Sequence, residues 1–108
     1  MLNNIMLVGR LSNDIEITKE NEKEQAKITL AVNRAFKNED GVYETDFIDC
    51  LLWSGIATNT AEYCKKGDVV GVRGRLQSSI NEEGKKELIV VVDKLTFLSS
   101  KKVEDEEE

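Results

Sequence analysis

The alternation over Lys27 to Phe36 (KITLAVNRAF) most constrains this chain, with Ile28, Leu30 and Val32 on one side and Lys27, Thr29, Ala31 and Asn33 on the other. Successive side chains of an extended strand point to opposite faces, so the stretch reads as a half-buried β-strand. Asn38-Glu39-Asp40-Gly41 then supplies turn residues, and Val42 to Trp53 should return antiparallel to it.

The remaining segments fit around that pair. Ile5 to Leu11 (IMLVGRL) reads as a first strand, with Gly9 marking a bulge or bend. Residues 12–25 are polar and crowded with Asp14, Glu16, Glu20, Glu22 and Glu24; Ile15 and Ile17 alternate as in a short edge strand, and a solvated loop follows. Ile56 to Lys66 places Ile56, Thr60, Tyr63 and Cys64 on one helical stripe, sets Lys65 and Lys66 at the negative end of the helix dipole and stops at Gly67. Val69 to Gln77 alternates again, Asn81 to Gly84 is a turn, and Leu88 to Asp93 with Leu95 to Leu98 gives a last strand or strand pair.

Three strands, a helix and two more strands, with glycines inside strands and no proline, favour a small closed barrel over a parallel βαβ sheet. The expectation is an all-β chain: a five-stranded OB-fold barrel with one short helix between strands three and four. At 108 residues and 40% apolar composition the chain has material for one core. Residues 1–100 are therefore taken as the domain and 101–108 as a short, acidic, unfolded tail. The longest wholly apolar runs, such as Leu88 to Val92, are only a few residues long, which suggests a soluble, intracellular protein.

Two cysteines, Cys50 and Cys64, have neither CxxC spacing nor a histidine to complete a metal site or activate a thiolate, and read as small core hydrophobes. The carboxylates lie in loops and the tail, and no phosphate-cradling glycine motif is present, so neither catalysis nor a cofactor is expected. The net charge of −6 argues against a polyanion ligand, yet half of it lies in residues 101–108, where Glu104 to Glu108 outweigh Lys101 and Lys102.

The faces of the strands carry the functional argument. In the third strand Ile48, Cys50 and Leu52 are uniformly apolar, whereas Thr45, Phe47, Asp49, Leu51 and Trp53 mix aromatics with polar groups, which leaves Phe47 and Trp53 looking outward. Aromatics on a partly wet face suit sequence-tolerant base stacking, and equally a subunit interface. In the fourth strand Val70, Val72 and Leu76 share one face and Arg73, Arg75 and Gln77 the other. Arg34 and Lys37 beside Phe36 add to this basic and aromatic interleaving.

The segments MLNNIMLVGRL at the start, ITLAVNRAF at 28–36, TDFIDCLLW at 45–53, AEYCKKGDVVGVRGRLQ at 61–77 and VVVDKLTFL at 90–98 resemble bacterial single-stranded DNA-binding proteins. The resemblance implies an OB-fold domain that forms homotetramers and binds single-stranded DNA in replication, recombination and repair, in the cytoplasm and associated with the nucleoid. It implies base stacking by Phe36, Phe47 and Trp53, with replication or repair proteins as further partners; the basic residues Arg10, Arg34, Lys37, Arg73, Arg75, Lys85 and Lys86 are expected to contact phosphates. Where the family continues its fourth strand with further arginines and an aromatic, this chain has Gln77, Ser78, Ser79 and Ile80, and Asp49 and Gly55 stand where relatives often carry a basic residue. Weaker and more salt-sensitive binding is the expected consequence. The ending VEDEEE replaces the linker and acidic Pro-Phe tip through which family members dock other enzymes. The competing expectation is an OB-fold adaptor of a replication or primosome assembly whose face binds protein and touches DNA weakly.

Overall fold

A computed structural model describes residues 1–100; the expected acidic tail, 101–108, lies outside the described residues. The elements are β1 (Ile5–Leu11), β2 (Thr18–Glu20), β3 (Lys23–Lys37), β4 (Tyr43–Trp53), α1 (Ser54–Tyr63), β5 (Val69–Ile80) and β6 (Lys86–Ser99). The strands run in the order β1-β5-β6-β4-β3-β2, and a further β1–β3 pairing closes the sheet on itself. Five strands thus form a barrel, as expected of an OB fold, and β2 is an extra ribbon on β3. All pairings are antiparallel except β4 with β6.

Strand parity builds the core. Ile28 and Leu30 of β3, Cys50 and Leu52 of β4, Val70 and Val72 of β5, and Val90 and Val92 of β6 point inward with Leu11, Ala26 and Ala57. Each fully buried Leu, Ile or Val contributes about 1.5–3 kcal/mol over an exposed one. Gly9 sits where β1 passes from β5 to β3; a Cβ there would stand 2.8 Å from the Ala31 carbonyl oxygen and 2.9 Å from Val32 Cγ2, so the bend needs glycine.

Three expectations require correction. The helix follows the fourth strand in chain order, not the third, because Thr18–Glu20 pairs with Lys23–Gln25 as a small hairpin inside the stretch read as a loop. The helix spans Ser54–Tyr63 rather than 56–66: β4 enters it with no intervening loop, Ser54 turning the chain at φ 48°, and Cys64 donates its N–H to the Thr60 carbonyl at the far end. Its buried stripe is Ala57, Thr60 and Cys64, whereas Tyr63 is exposed and Lys65 and Lys66 lie beyond the last turn. Finally, Leu76 does not share the burial of Val70 and Val72, because the β5–β6 hairpin runs on past the barrel and leaves Leu76, Ile80 and Leu88 uncovered.

The last strand is one continuous element with an irregularity: Arg73 pairs with Lys94 but Gly74 with Val92, so Asp93 is the extra residue of a bulge. Beyond α1, Asp68 is buried; its Oδ2 accepts the Lys65 N–H at 2.8 Å, and its carbonyl accepts the Leu11 N–H at 2.9 Å. This loop is thereby fastened to the end of β1.

Both thiols are buried, and burial, with Asp49 assisting, pushes Cys50 from its ordinary value of 9.0 up to about 12. Burial and then Asp68 push Cys64 upward as well. Since only the thiolate reacts, the folded protein should leave both cysteines essentially unlabelled by a disulfide reagent at pH 8, with full labelling in urea. Rapid labelling of Cys50 with the far-UV spectrum intact would contradict this burial. Above pH 9 the unfolded chain ionises Cys50 while the fold retains its proton, so this thiol's contribution to stability is present below that pH and declines as pH rises toward 12.

Candidate nucleic-acid interface

The outward face of the β3–β4 pair is fixed by its register: Gln25 opposes Trp53, Lys27 opposes Leu51, Thr29 opposes Asp49, Ala31 opposes Phe47 and Asn33 opposes Thr45. Two hydrogen bonds between side chains cross it, Thr29 Oγ1 to Asp49 Oδ1 and Thr45 Oγ1 to Asn33 Oδ1, each 2.9 Å. Phe47 is 67% exposed and Trp53 half-buried. They stand six positions apart on β4, a separation of roughly 20 Å at strand rise. Each occupies its own hollow.

Trp53 lines an open groove of about 620 Å³ between the β2–β3 ribbon and the β5–β6 hairpin. Lys23, Gln25, Lys27 and Leu51 line it from one side, and Gln77, Ser79, Glu87 and Ile89 from the other. With Trp53, Lys23 and Lys27 lining one channel, a π-face and two ammonium groups are available together for stacking and phosphate contacts. Lys23 and Lys27 were not among the expected contacts. Lys27 shares the outward parity of β3 and could have been found that way; Lys23 depends on the β2–β3 ribbon, which the polar sequence conceals. Phe47 lines a second hollow of about 440 Å³ with Val8, Arg10, Asn33, Thr45 and Val69.

The expected basic residues are dispersed. Arg10 borders the Phe47 hollow, and its Nη1 donates to the Gly67 carbonyl at 2.8 Å, tying β1 to the loop after α1. Arg34 is engaged by Asp46 and Glu44 of β4, with Nη2 to Asp46 Oδ1 at 2.9 Å and Nη1 to Glu44 Oε2 at 2.6 Å. The hydrogen bond to Arg34 holds the Asp46 carboxyl below the usual carboxylate range. Phe36 is 84% exposed and lies within the irregular register between Asn33 and Lys37; Lys37 Nζ sits 5.7 Å from the centre of the Tyr43 ring. Arg73 lines a separate hollow with Met6, Val8 and Lys94, which adjoins the Phe47 hollow through Val8, and Arg75 Nη1 is 3.6 Å from Asp93. Lys85 and Lys86 stand at the turn of the β5–β6 hairpin, where Asn81 organises the chain by accepting the Glu83 and Lys85 N–H groups. The structure therefore brings Arg10 to Phe47 and new lysines to Trp53.

Residues 2–98 match the single-strand binding protein family. The chain belongs to this family. Among its relatives, single-stranded DNA-binding protein B of Bacillus subtilis is 45% identical over 106 residues, covering 94% of each chain. Single-stranded DNA-binding protein 1 of Lactococcus lactis is 42% identical over 113 residues, covering 99% of this chain and 75% of the relative. A protein of the same name from Streptococcus pyogenes is 39% identical over 94 residues, covering 86% and 72%. Membership of the single-strand binding protein family makes the chain a binding protein rather than an enzyme.

Proposed function

We propose that this chain binds and protects single-stranded DNA without strong sequence preference, in replication, recombination and repair, in the cytoplasm and at the nucleoid. The observation that carries the reading is the outward β4 face, where Trp53 lies in a groove with Lys23 and Lys27 while Phe47 stands exposed further along. Bases stack on Phe47, Trp53 and Phe36, and phosphates are met by Lys23, Lys27, Lys37, Lys85 and Lys86, with Arg10, Arg73 and Arg75 along the barrel. The relatives' names and identities support the same ligand. Self-association into a homotetramer is part of the proposal. Met6 and Val8, 76% and 60% exposed on β1, provide apolar surface suited to it.

A labelled oligo-dT strand, titrated at low and high salt with duplex competitor, tests the reading. Saturable binding that resists duplex and weakens steeply with salt is expected. Equal competition by duplex would remove the preference for single strands. The adaptor reading, in which replication or repair proteins are the main partners, draws on the carboxylates that already occupy Arg34 and Arg75. Negligible DNA affinity together with a stoichiometric, co-purifying replication protein would favour it.

A further inference from the structure

The far end of the β3–β4 hairpin, residues 34–46, holds the cations Arg34 and Lys37 and the carboxylates Glu39, Asp40, Glu44 and Asp46. Arg34 meets two of these at once. Its Nε donates to Asp46 at 3.2 and 3.1 Å, its Nη2 to Asp46 Oδ1 at 2.9 Å, and its Nη1 to Glu44 Oε2 at 2.6 Å. The Asp46 contact uses the planar fork of the guanidinium, the same geometry with which arginine grips a phosphate. A phosphate arriving at Arg34 must therefore displace a carboxylate already in place. Such an exchange of one anion for another yields little net affinity, and the displaced carboxylates then face the DNA.

We infer that Glu44 and Asp46 form a built-in lock on Arg34, an internal phosphate substitute that lowers the affinity of this hairpin for single-stranded DNA. The inference rests on the proposed DNA-binding reading and adds to it two acidic residues that set binding strength. Phe36, on the same arm and 84% exposed, keeps its stacking face while the neighbouring cation is withheld. The arm then contributes stacking more than charge. This differs from the simple expectation that Arg34 is a standing phosphate contact.

The test measures affinity for labelled oligo-dT at several salt concentrations for the full chain, for E44Q/D46N, for Arg34→Ala, and for both carboxamide changes combined with Arg34→Ala. Release of the lock raises low-salt affinity about three- to tenfold and steepens the slope of log K against log salt by about 0.7, one additional phosphate contact on a single strand. In the R34A background the same two changes alter affinity by less than about twofold. Glu39→Gln, which removes a charge from the hairpin turn without touching Arg34, controls for the general field and should give less than about twofold. The lock is overturned if E44Q/D46N binds like the original chain, or if its gain persists without Arg34. If neither the original chain nor any variant binds the strand, the DNA-binding reading itself fails; binding that is unaffected by E44Q/D46N removes only the lock. Thermal midpoints of all variants should agree within a few degrees, since the pair is exposed.

Discussion

Gly74→Ala is expected to destabilise the fold by about 3 kcal/mol or more, the upper end of the cost of overpacking a rigid site. A Cβ at this position would lie 2.1 Å from the Val91 carbonyl oxygen, 2.9 Å from its carbonyl carbon and 3.1 Å from Val92 Cα. All three are backbone atoms of β6, so no side-chain rotation relieves the clash. Gly74 sits where the β5–β6 register shifts, opposite the bulge at Asp93. There the two backbones come too close for any side chain. Two other glycines provide contrast: at Gly71 the nearest atom is Leu98 Cδ1 at 3.7 Å, ordinary contact, and at Gly55 nothing lies within 4 Å. Urea unfolding of the three alanine variants should show a large drop for Gly74 alone, with Gly55→Ala neutral or slightly stabilising within α1. A Gly74→Ala midpoint close to that of the original chain would mean that β5 and β6 do not approach as described.

Trp53→Ala should weaken oligo-dT binding by roughly five- to a hundredfold while leaving the barrel folded, because one base–aromatic stack is worth about 1–3 kcal/mol. Trp53 is half-buried, lines the groove and is absent from the core cluster of Leu52, Cys50 and Ile28. Trp53→Phe should recover part of the loss by restoring a π-face. Tyr63→Ala removes another exposed aromatic, on α1 and outside both aromatic hollows of the β4 face, and should leave binding unchanged. Equal losses for Tyr63 and Trp53 would point to a general effect on the fold and not to stacking in the groove.

Much of this architecture is legible in the alternating strands. The parity of residues 45–53 separates Cys50 and Leu52, fully buried, from Phe47, exposed, and the order of strands and helix gives the closed barrel. Parity stops being informative where the chain leaves the barrel: Leu76 has the same spacing as Val70 and Val72, but no opposing sheet covers the outer hairpin. Composition misleads at Thr18–Glu20, a strand held by backbone pairing to Lys23–Gln25 and not by any apolar face. The Arg34 pairing was hidden for a different reason. Its contact with Glu44 and Asp46 follows from the β3–β4 register, in which Val32 opposes Asp46 and Asn33 opposes Thr45, and the parity of either strand alone does not give that register. Strand pattern thus locates faces, while register decides which charges on them meet.

In the proposed function Trp53 lies in the path of single-stranded DNA. It is the chain's sole tryptophan, so titrating its intrinsic fluorescence with unlabelled oligo-dT reports on that groove alone. Saturable quenching, reversed by added salt and following the same curve as binding of the labelled strand, is the expected result. Binding of the labelled strand with no change in Trp53 fluorescence would put the DNA elsewhere on the barrel and contradict the assignment of the groove.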